Sequence, residues 1–242
     1  MEQSNKQTDL LRLGWSSFFS DQLENINNGL TPARIIGVRK NIYLASSGKT
    51  EMPTHLAGRF FNDPKANIPT VGDWVLLQDS VIISLLSRKN ALSRRASGGR
   101  SRKNPDIQTG EQTMAANLDL VFIICGMDRD FNPRRIERYL TLVYNCGIEP
   151  AVILTKSDLH KNPDDFVHEV ESVAFGVQVY SVSADDNETV HQLQAALSKG
   201  GTAAMIGSSG AGKSTLINRL YGEKIRATSE VGARVGKGRH TT

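Results

Sequence analysis

The hydrophobic pattern of the chain changes near Asn117. After that point the sequence contains near-continuous apolar runs such as "LDLVFIICG" and "EPAVILT", separated by amphipathic stretches that often begin at Asn-Pro and end at Gly. Continuous apolar runs are typical of strands buried on both faces of a parallel sheet, and Asn-Pro and Gly are helix start and stop signals. The pattern therefore predicts four strands, each followed by a helix, in an α/β domain.

Residues 33–87 show short β segments instead. "ARIIGVRKNIYLAS" predicts two strands joined at Arg39–Asn41, "HLAGRFF" predicts a third, and "VGDWVLLQDSVIISLLSR" predicts two more around Asp79–Ser80. Five closely spaced strands suit a barrel of the OB-fold type, although any small β domain is an alternative.

Before them, the apolar residues of Thr8–Ile26 recur at helical spacing, which predicts a helix or irregular arm packed on the barrel, or else a partner-binding helix.

Composition narrows the class of protein. The 242 residues carry a formal net charge of +4, and no apolar run approaches the roughly 18 residues that a membrane span needs. The polar N-terminus lacks the features of a secretory signal. Cys125 and Cys146 have no metal-ligand spacing, so we expect free thiols in a reducing cytoplasm. We therefore expect a cytoplasmic protein without membrane partners. We also expect a monomer, because nothing in the sequence suggests an obligate dimer.

Positive charge is concentrated in the connector "SRKNALSRRASGGRSRKN", residues 87–104, which contains no acidic residue. A single-signed basic run beside a possible OB-type barrel favours contact with RNA phosphates, and a solvated linker is the alternative. The RNA-binding residues that we predict are Arg94, Arg95, Arg100, Arg102 and Lys103.

The strongest chemical signal is "GSSGAGKST", residues 207–215, which fits Gly-x-x-x-x-Gly-Lys-Ser/Thr between a predicted strand and a predicted helix. Glycines allow a tight turn around phosphate oxygens, which backbone N–H groups at a helix N-terminus attract. We expect Lys213 to reach the β- and γ-phosphates, the Ser214 hydroxyl to bind Mg²⁺ and Thr215 to help hold the α-phosphate. The predicted phosphate-binding residues are Gly207, Ser208, Ser209, Gly210, Ala211, Gly212, Lys213, Ser214 and Thr215.

Two weaker motifs follow predicted strands earlier in the chain, "TKSD" at residues 155–158 and "VSA" at residues 182–184. Ligands of open parallel sheets bind at the carboxyl ends of the strands. The Asp158 carboxylate can accept hydrogen bonds from the ring N–H and the exocyclic amine of guanine, a pair that adenine lacks, and the stem of Lys156 can lie along the base. The guanine-binding residues that we predict are Thr155, Lys156, Ser157, Asp158, Ser183 and Ala184.

The order of these motifs is unusual, because ordinary GTPases carry the phosphate-binding loop (P-loop) before the base-reading motifs. With the barrel in front, and with "VGDWV", "FNPRRIERYL" and the final "GKGRHTT", the chain closely resembles the circularly permuted GTPases of the ribosome small-subunit-dependent family (RsgA, also called YjeQ or EngC). The resemblance implies an OB-fold domain, a permuted G domain and a zinc-binding domain. It also implies hydrolysis of GTP to GDP and phosphate, stimulated by the small ribosomal subunit and its rRNA, in late maturation of that subunit.

The resemblance adds two candidates within "GRHTT". Thr241 is expected to bind Mg²⁺ as the switch threonine, with Thr242 as the second choice. His240 is a candidate for orienting the attacking water, and a contact to ribosomal RNA is the alternative. The Asp-x-x-Gly motif and the zinc ligands of the family do not occur before Thr242, so we expect a C-terminally truncated chain. Its expected cofactors are GTP or GDP and Mg²⁺, with zinc only in the missing domain.

We therefore predict a multidomain protein with a helical arm (1–32), an OB-fold RNA-binding domain (33–90), a basic linker (91–112) and an incomplete permuted G domain (113–242). Two other functions fit parts of the sequence. The first is an RNA-binding module whose affinity is modulated by nucleotide, with little hydrolysis. The second is a P-loop ATPase or kinase in which "TKSD" arises by chance.

Overall fold

The structure, a computed structural model, describes residues 8–23, 29–62, 67–95, 111–197 and 200–221. The chain forms two compact units. One comprises Met1–Leu118 and Lys199–Thr202, and the other comprises Asp119–Ser198 and Ala203–Thr242. Within the described residues, every helix is too short or too polar to cross a membrane.

The first unit contains a closed barrel of five strands in the order β1-β2-β3-β5-β4. The strands are β1 (Thr31–Arg39), β2 (Ile42–Ser46), β3 (Glu51–Leu56), β4 (Trp74–Gln78) and β5 (Val81–Leu85). Strands β3 and β5 pair in parallel, and the other neighbours are antiparallel. Both predicted turns are confirmed, with Lys40 and Asp79 at left-handed φ values of 53° and 55°. The predicted OB-type barrel is confirmed as well.

The third strand was predicted at residues 55–61, and this position is wrong. Strand β3 ends at Leu56, and Arg59–Asn62 form a short helix, α2. Phe60 is buried in the barrel core, whereas the adjacent Phe61 is 68% exposed. A helical turn lets one of these neighbouring rings close the barrel while the other faces solvent. The core residues with Phe60 are Ala33, Ile35, Tyr43, Ala45, Val75, Leu77 and Ile82.

The predicted arm packs on the barrel within the first unit. Residues 8–12 are helical, and the helix α1 covers Ser17–Leu23. Leu10, Trp15 and Phe19 are buried with Trp74 and two leucines in one cluster. The Trp15 and Trp74 rings meet edge to face, with their centroids 4.7 Å apart.

Part of the basic connector forms a strand. Strand β6 (Ala91–Arg95) pairs antiparallel with β7 (Glu111–Ala116), although no strand was predicted in either segment. Leu92 and Ala116 are buried, and polar residues fill most of the other positions, so the alternation is too weak to indicate a strand. The compact units also divide at Leu118/Asp119, whereas we predicted a boundary after residue 112.

A buried polar network joins elements of the first unit. The Arg88 guanidinium donates from Nε to Asp73 Oδ1 at 2.8 Å and from Nη2 to Asp73 Oδ2 at 2.7 Å. It also donates to the Ile68 carbonyl at 3.1 Å and to Thr113 Oγ1 at 3.4 Å. Asp73 is fully buried. Arg88 belongs to the basic connector of the sequence, but here it neutralises an internal carboxylate.

The second unit contains a four-stranded parallel sheet in the order β10-β9-β8-β11. Its strands are β8 (Leu120–Gly126), β9 (Glu149–Thr155), β10 (Gln178–Val182) and β11 (Ala203–Gly207). The helices are α3 (Pro133–Asn145), α4 (Asp164–Val173), α5 (Asn187–Ala196) and α6 (Lys213–Tyr221). The alternation of four strands and four helices is confirmed. Because the strands are parallel, the residues that follow each of them lie at one edge of the sheet.

Candidate nucleotide-binding site

The P-loop connects β11 to α6 at the carboxyl edge of the sheet. Strand β11 ends at Gly207, residues 208–212 form the loop, and α6 begins at Lys213. Gly207 has a φ of 155°, and a Cβ there would lie 2.3 Å from the Ile124 carbonyl oxygen. At Gly212, φ is 92° and a Cβ would lie 3.2 Å from Thr155 Oγ1. The strand-loop-helix geometry therefore requires glycine on both sides of the loop.

Lys213 folds back over the start of this loop. Its Nζ donates to the Gly207 carbonyl at 2.9 Å and to the Ser208 carbonyl at 2.6 Å. Burial lowers the pKa of Lys213, and the negative charge of Asp130 partly offsets that effect. The ammonium group thus lies against the loop, where it can meet a bound phosphate.

Asp130 supports the same loop, and the sequence analysis did not identify it. Its carboxylate accepts a hydrogen bond from the Ser208 hydroxyl and forms an ion pair of 2.8 Å with Arg135 of α3. Asp130 follows β8, the strand that pairs with β11. A polar residue just after a buried parallel strand was the available signal, since such residues reach the ligand edge.

The end of β9 contacts the P-loop directly. The Thr155 hydroxyl donates to the Ala211 carbonyl at 2.8 Å, and this bond is buried. Lys156 has a left-handed φ of 65°, and its Nζ donates to the Gly210 carbonyl at 2.9 Å. The two motifs that the sequence separates by about fifty residues thus form one site within the second unit.

Lys156 also binds Asp128, a second residue that the sequence analysis missed. The distance from Lys156 Nζ to Asp128 Oδ2 is 2.6 Å. Burial acts to raise the pKa of Asp128, but the hydrogen bond from Lys156, the Asp130 N–H and the lysine charge outweigh it and hold this pKa below its ordinary value. Asp128 is therefore a carboxylate held ionised by the lysine beside it.

The remaining predicted base-reading residues lie at the same edge. Ser157 and Asp158 form a single helical turn with Leu159, directly after Lys156, and the Asp158 side chain is exposed to solvent. Ser183 is buried just after β10, where its hydroxyl accepts a hydrogen bond from the Asp185 N–H at 3.3 Å. Ala184 follows it in a half-buried turn.

Only part of the predicted metal and RNA sites falls on described residues. Ser214 is half-buried in the first turn of α6, next to Lys213, and Thr215 is exposed. Ser209 is half-buried in the P-loop. Arg94 is exposed in β6 and donates to Gln112 Oε1 at 3.3 Å. His240, Thr241, Arg100, Arg102, Lys103 and the side chain of Arg95 lie outside the described residues.

A cluster of metal ligands is absent from the part of the chain that the structure describes, where no three His, Cys, Asp or Glu side chains converge. Zinc was expected only in a domain beyond Thr242, so these residues do not test that prediction. The donor set that does occur, a serine hydroxyl beside the P-loop lysine, suits Mg²⁺ bound together with phosphate oxygens.

Comparison with known families agrees with this geometry. A family profile described as RsgA GTPase matches residues 85–242. The chain belongs to the RsgA GTPase family. Among curated RsgA proteins, that of Syntrophotalea carbinolica is 40% identical over 97% of this chain and 66% of its own length. RsgA 2 of Vibrio parahaemolyticus is 38% identical over 96% of this chain and 62% of its own length. Each of these relatives is named small ribosomal subunit biogenesis GTPase, and the chain spans about two thirds of their length.

Two solved structures share the fold. YjeQ from Thermotoga maritima has a TM-score of 0.64 and 23% identity, and covers 83% of this chain and 68% of its own. YloQ, a circularly permuted GTPase, has a TM-score of 0.55 and 20% identity, and covers 81% of this chain and 65% of its own. These similarities confirm an OB-like barrel with a P-loop α/β unit.

Proposed function

We propose that this RsgA-family chain binds GTP and GDP and hydrolyses GTP to GDP and phosphate. The observation that carries the proposal is the contact between the "TKSD" segment and the P-loop. Thr155 and Lys156 donate hydrogen bonds to the Ala211 and Gly210 carbonyls. A base-reading segment is thereby fixed against a phosphate-binding loop, as recognition of an intact nucleotide requires. A P-loop with a chance "TKSD" would not need these contacts.

Asp158 is proposed to select guanine over adenine. Its exposed carboxylate follows Lys156 at the ligand edge, where it can accept from the ring N–H and the exocyclic amine of guanine. Calorimetric titration of the chain should show binding of GDP and at least tenfold weaker binding of ADP. The variant Asp158→Asn should lose GDP affinity and gain affinity for xanthosine diphosphate, whereas Asp165→Asn on α4 should behave like the parent. Equal binding of ADP and GDP by the parent would overturn the guanine assignment.

On the phosphate side, Lys213 is proposed to contact the β- and γ-phosphates from its position against Gly207 and Ser208. Ser214, with Thr241 further along the chain, would hold Mg²⁺, which neutralises charge on the phosphate oxygens. His240 is proposed to orient the attacking water. In single-turnover assays, Lys213→Ala should abolish measurable hydrolysis, while His240→Ala should slow it and leave GTP affinity within about twofold.

The proposed partner is the small ribosomal subunit in the cytoplasm, with the chain acting as a monomer in late maturation of that subunit. The names of the relatives and the OB-like barrel support this role. Arg94, Arg95, Arg100, Arg102 and Lys103 are proposed to contact rRNA phosphates, which predicts RNA affinity that falls steeply with salt. Purified small subunits should raise GTP turnover, and large subunits should not. Salt-dependent RNA binding without any such stimulation would instead identify an RNA-binding module that nucleotide modulates.

A further inference from the structure

We propose that Asp128 is a positioning residue for nucleotide binding, because it holds the Lys156 ammonium against the P-loop and thereby fixes the lysine stem in the place where the base binds. The inference rests on the proposed function and adds a residue outside the sequence motifs to it. Asp128 lies on the loop after β8. In the sheet, β8 is between β9, which Lys156 follows, and β11, which the P-loop follows.

Lys156 has two anchors, and Asp128 provides one of them. The ammonium donates to Asp128 Oδ2 at 2.6 Å and to the Gly210 carbonyl at 2.9 Å. A lysine side chain is a flexible four-carbon stem that ends in a point charge. A single contact of the ammonium therefore does not fix the conformation of the stem. Two acceptors on different loops restrict both the ammonium and the stem. The stem then presents a fixed apolar edge at the ligand end of the sheet.

Asp128 is itself held in place. Its Oδ1 accepts a hydrogen bond from the Asp130 N–H at 3.1 Å, so each carboxylate oxygen has a separate partner. Gly126 makes room for this arrangement, because a Cβ there would lie 2.7 Å from Asp128 Oδ1 and 3.5 Å from Lys156 Nζ. A side chain at position 126 would therefore displace the Asp128 carboxylate, whereas the backbone there, without a positive φ, would accept it.

The exposure of the pair argues against a role in stability alone. The Lys156 and Asp128 side chains are 25% and 30% exposed. Ion pairs that solvent reaches contribute little to folding. This pair, by contrast, determines where the ammonium lies relative to the P-loop, and an effect on ligand affinity follows from that geometry.

The test uses Asp128→Asn in the 242-residue chain. Asparagine has one oxygen, so it can accept from the Asp130 N–H or from Lys156, and it loses the charge that attracts the lysine. We expect about tenfold weaker binding of a fluorescent GDP and of the matching GTP analogue alike, with the preference for guanine over adenine unchanged. The matched control is Glu149→Gln, an exposed carboxylate at the opposite end of β9, which should bind like the parent.

A double-mutant cycle separates positioning from a general effect on the fold. In a Lys156→Met background, Asp128→Asn should change GDP affinity by less than about twofold, because the group that it positions is gone. A purely structural role of Asp128 would weaken binding tenfold in both backgrounds, and that result would overturn the proposal.

Gly126→Ala provides an independent perturbation if Asp128→Asn does not fold. The added methyl group displaces the Asp128 carboxylate, so we expect Gly126→Ala to weaken GDP binding. In a Lys156→Met background, Gly126→Ala should have no further effect on GDP affinity. If the parent prefers GDP over ADP but Asp128→Asn and Gly126→Ala bind GDP like the parent, the positioning role is wrong and the proposed function stands. If the parent shows no preference for guanine, both are wrong.

Discussion

Each of the two units contains an aspartate paired with a basic side chain beside a turn. The two pairs differ in their exposure to solvent and in the number of hydrogen bonds that each makes within the fold. In the first unit, Asp73 is fully buried, and Arg88 binds both of its oxygens and two further acceptors. In the second unit, Asp128 and Lys156 are 30% and 25% exposed, and one anchor of the lysine is a P-loop carbonyl. The first pair is enclosed by the fold, whereas the second is open to a ligand.

The choice of cation fits this difference. A guanidinium is a rigid planar fork that matches a carboxylate through two parallel bonds, whereas an ammonium is a compact charge on a flexible stem. Arg88 therefore suits a permanent internal contact, and Lys156 suits a contact that must also leave its stem available to a base. We infer that the pair in the first unit maintains structure and that the pair in the second unit serves binding.

The largest effect is expected from Arg88→Met, which leaves the buried Asp73 carboxylate without its cation. Removal of one partner of a buried pair costs about 3–5 kcal/mol. Trp15 and Trp74, the two tryptophans of the chain, both lie in the first unit, so tryptophan fluorescence during urea unfolding reports on that unit. GDP affinity should stay unchanged. Arg94→Met, at an exposed arginine of β6, is the control, and an equal loss of stability in both variants would contradict the comparison.

Lys156→Met should have the opposite effect, with weaker GDP binding and unchanged stability of the first unit. Loss of hydrogen bonds from a charged donor to Asp128 and Gly210 should weaken GDP binding about 10- to 100-fold. The urea midpoint seen by tryptophan fluorescence should not move, because Asp128 and Gly210, to which the lysine donates, both belong to the second unit. Calorimetry with GDP and urea titration of the same preparation measure both quantities. A shift of that midpoint without a loss of affinity would reverse our assignment of the two pairs.

Thr155→Val should have a smaller effect. It removes the donor to the Ala211 carbonyl within the buried contact between β9 and the P-loop. A hydrogen bond of this kind contributes about 1 kcal/mol, so we expect about fivefold weaker GDP binding. Thr155→Ser keeps the hydroxyl and should retain most of the affinity. If serine weakens binding and valine does not, packing of the methyl group, and not the hydrogen bond, joins the two segments.

The smallest effect is expected from pH. The pKa of Asp128 in the folded chain lies below its ordinary value. The effect of the ionised carboxylate is therefore fully present above its unfolded pKa of about 3.9. This effect is lost only as the pH falls through the lower pKa of the folded chain. The ratio of GDP affinities between the parent and Asp128→Asn should stay constant from about pH 8 to pH 5. A ratio that falls more than threefold within this window would show that the carboxylate is protonated there.

Local signals in the sequence were sufficient for much of the fold and for the two loops of the site. The runs that became β8 and β9, the Asn132 and Pro133 start of α3, and the glycines of the P-loop each follow from residues close together in the chain. The OB-type barrel also followed from short strands and turns. These features depend on propensity and periodicity, which a single sequence contains.

The missed features depend on contacts between distant residues. Asp128 and Asp130 stand in a polar turn that resembles any exposed loop, and only the parallel pairing of β8 with β9 and β11 brings them to Lys156 and Ser208. Arg88 looked like one more solvated charge, and Asp73, inside the apolar "VGDWV", was the sign that a buried cation would be needed. An acidic residue in an otherwise apolar run requires a partner that sequence position alone does not identify.

The motif order also has a consequence for the order of synthesis. Residues 155–158 are made before the P-loop, and about fifty residues separate them, a delay of several seconds at ordinary elongation rates. During that interval β8, β9 and β10 can assemble, but the acceptors that anchor Thr155 and Lys156, at Ala211 and Gly210, do not yet exist. The proposed nucleotide site is therefore complete only after β11 and the P-loop have been synthesised.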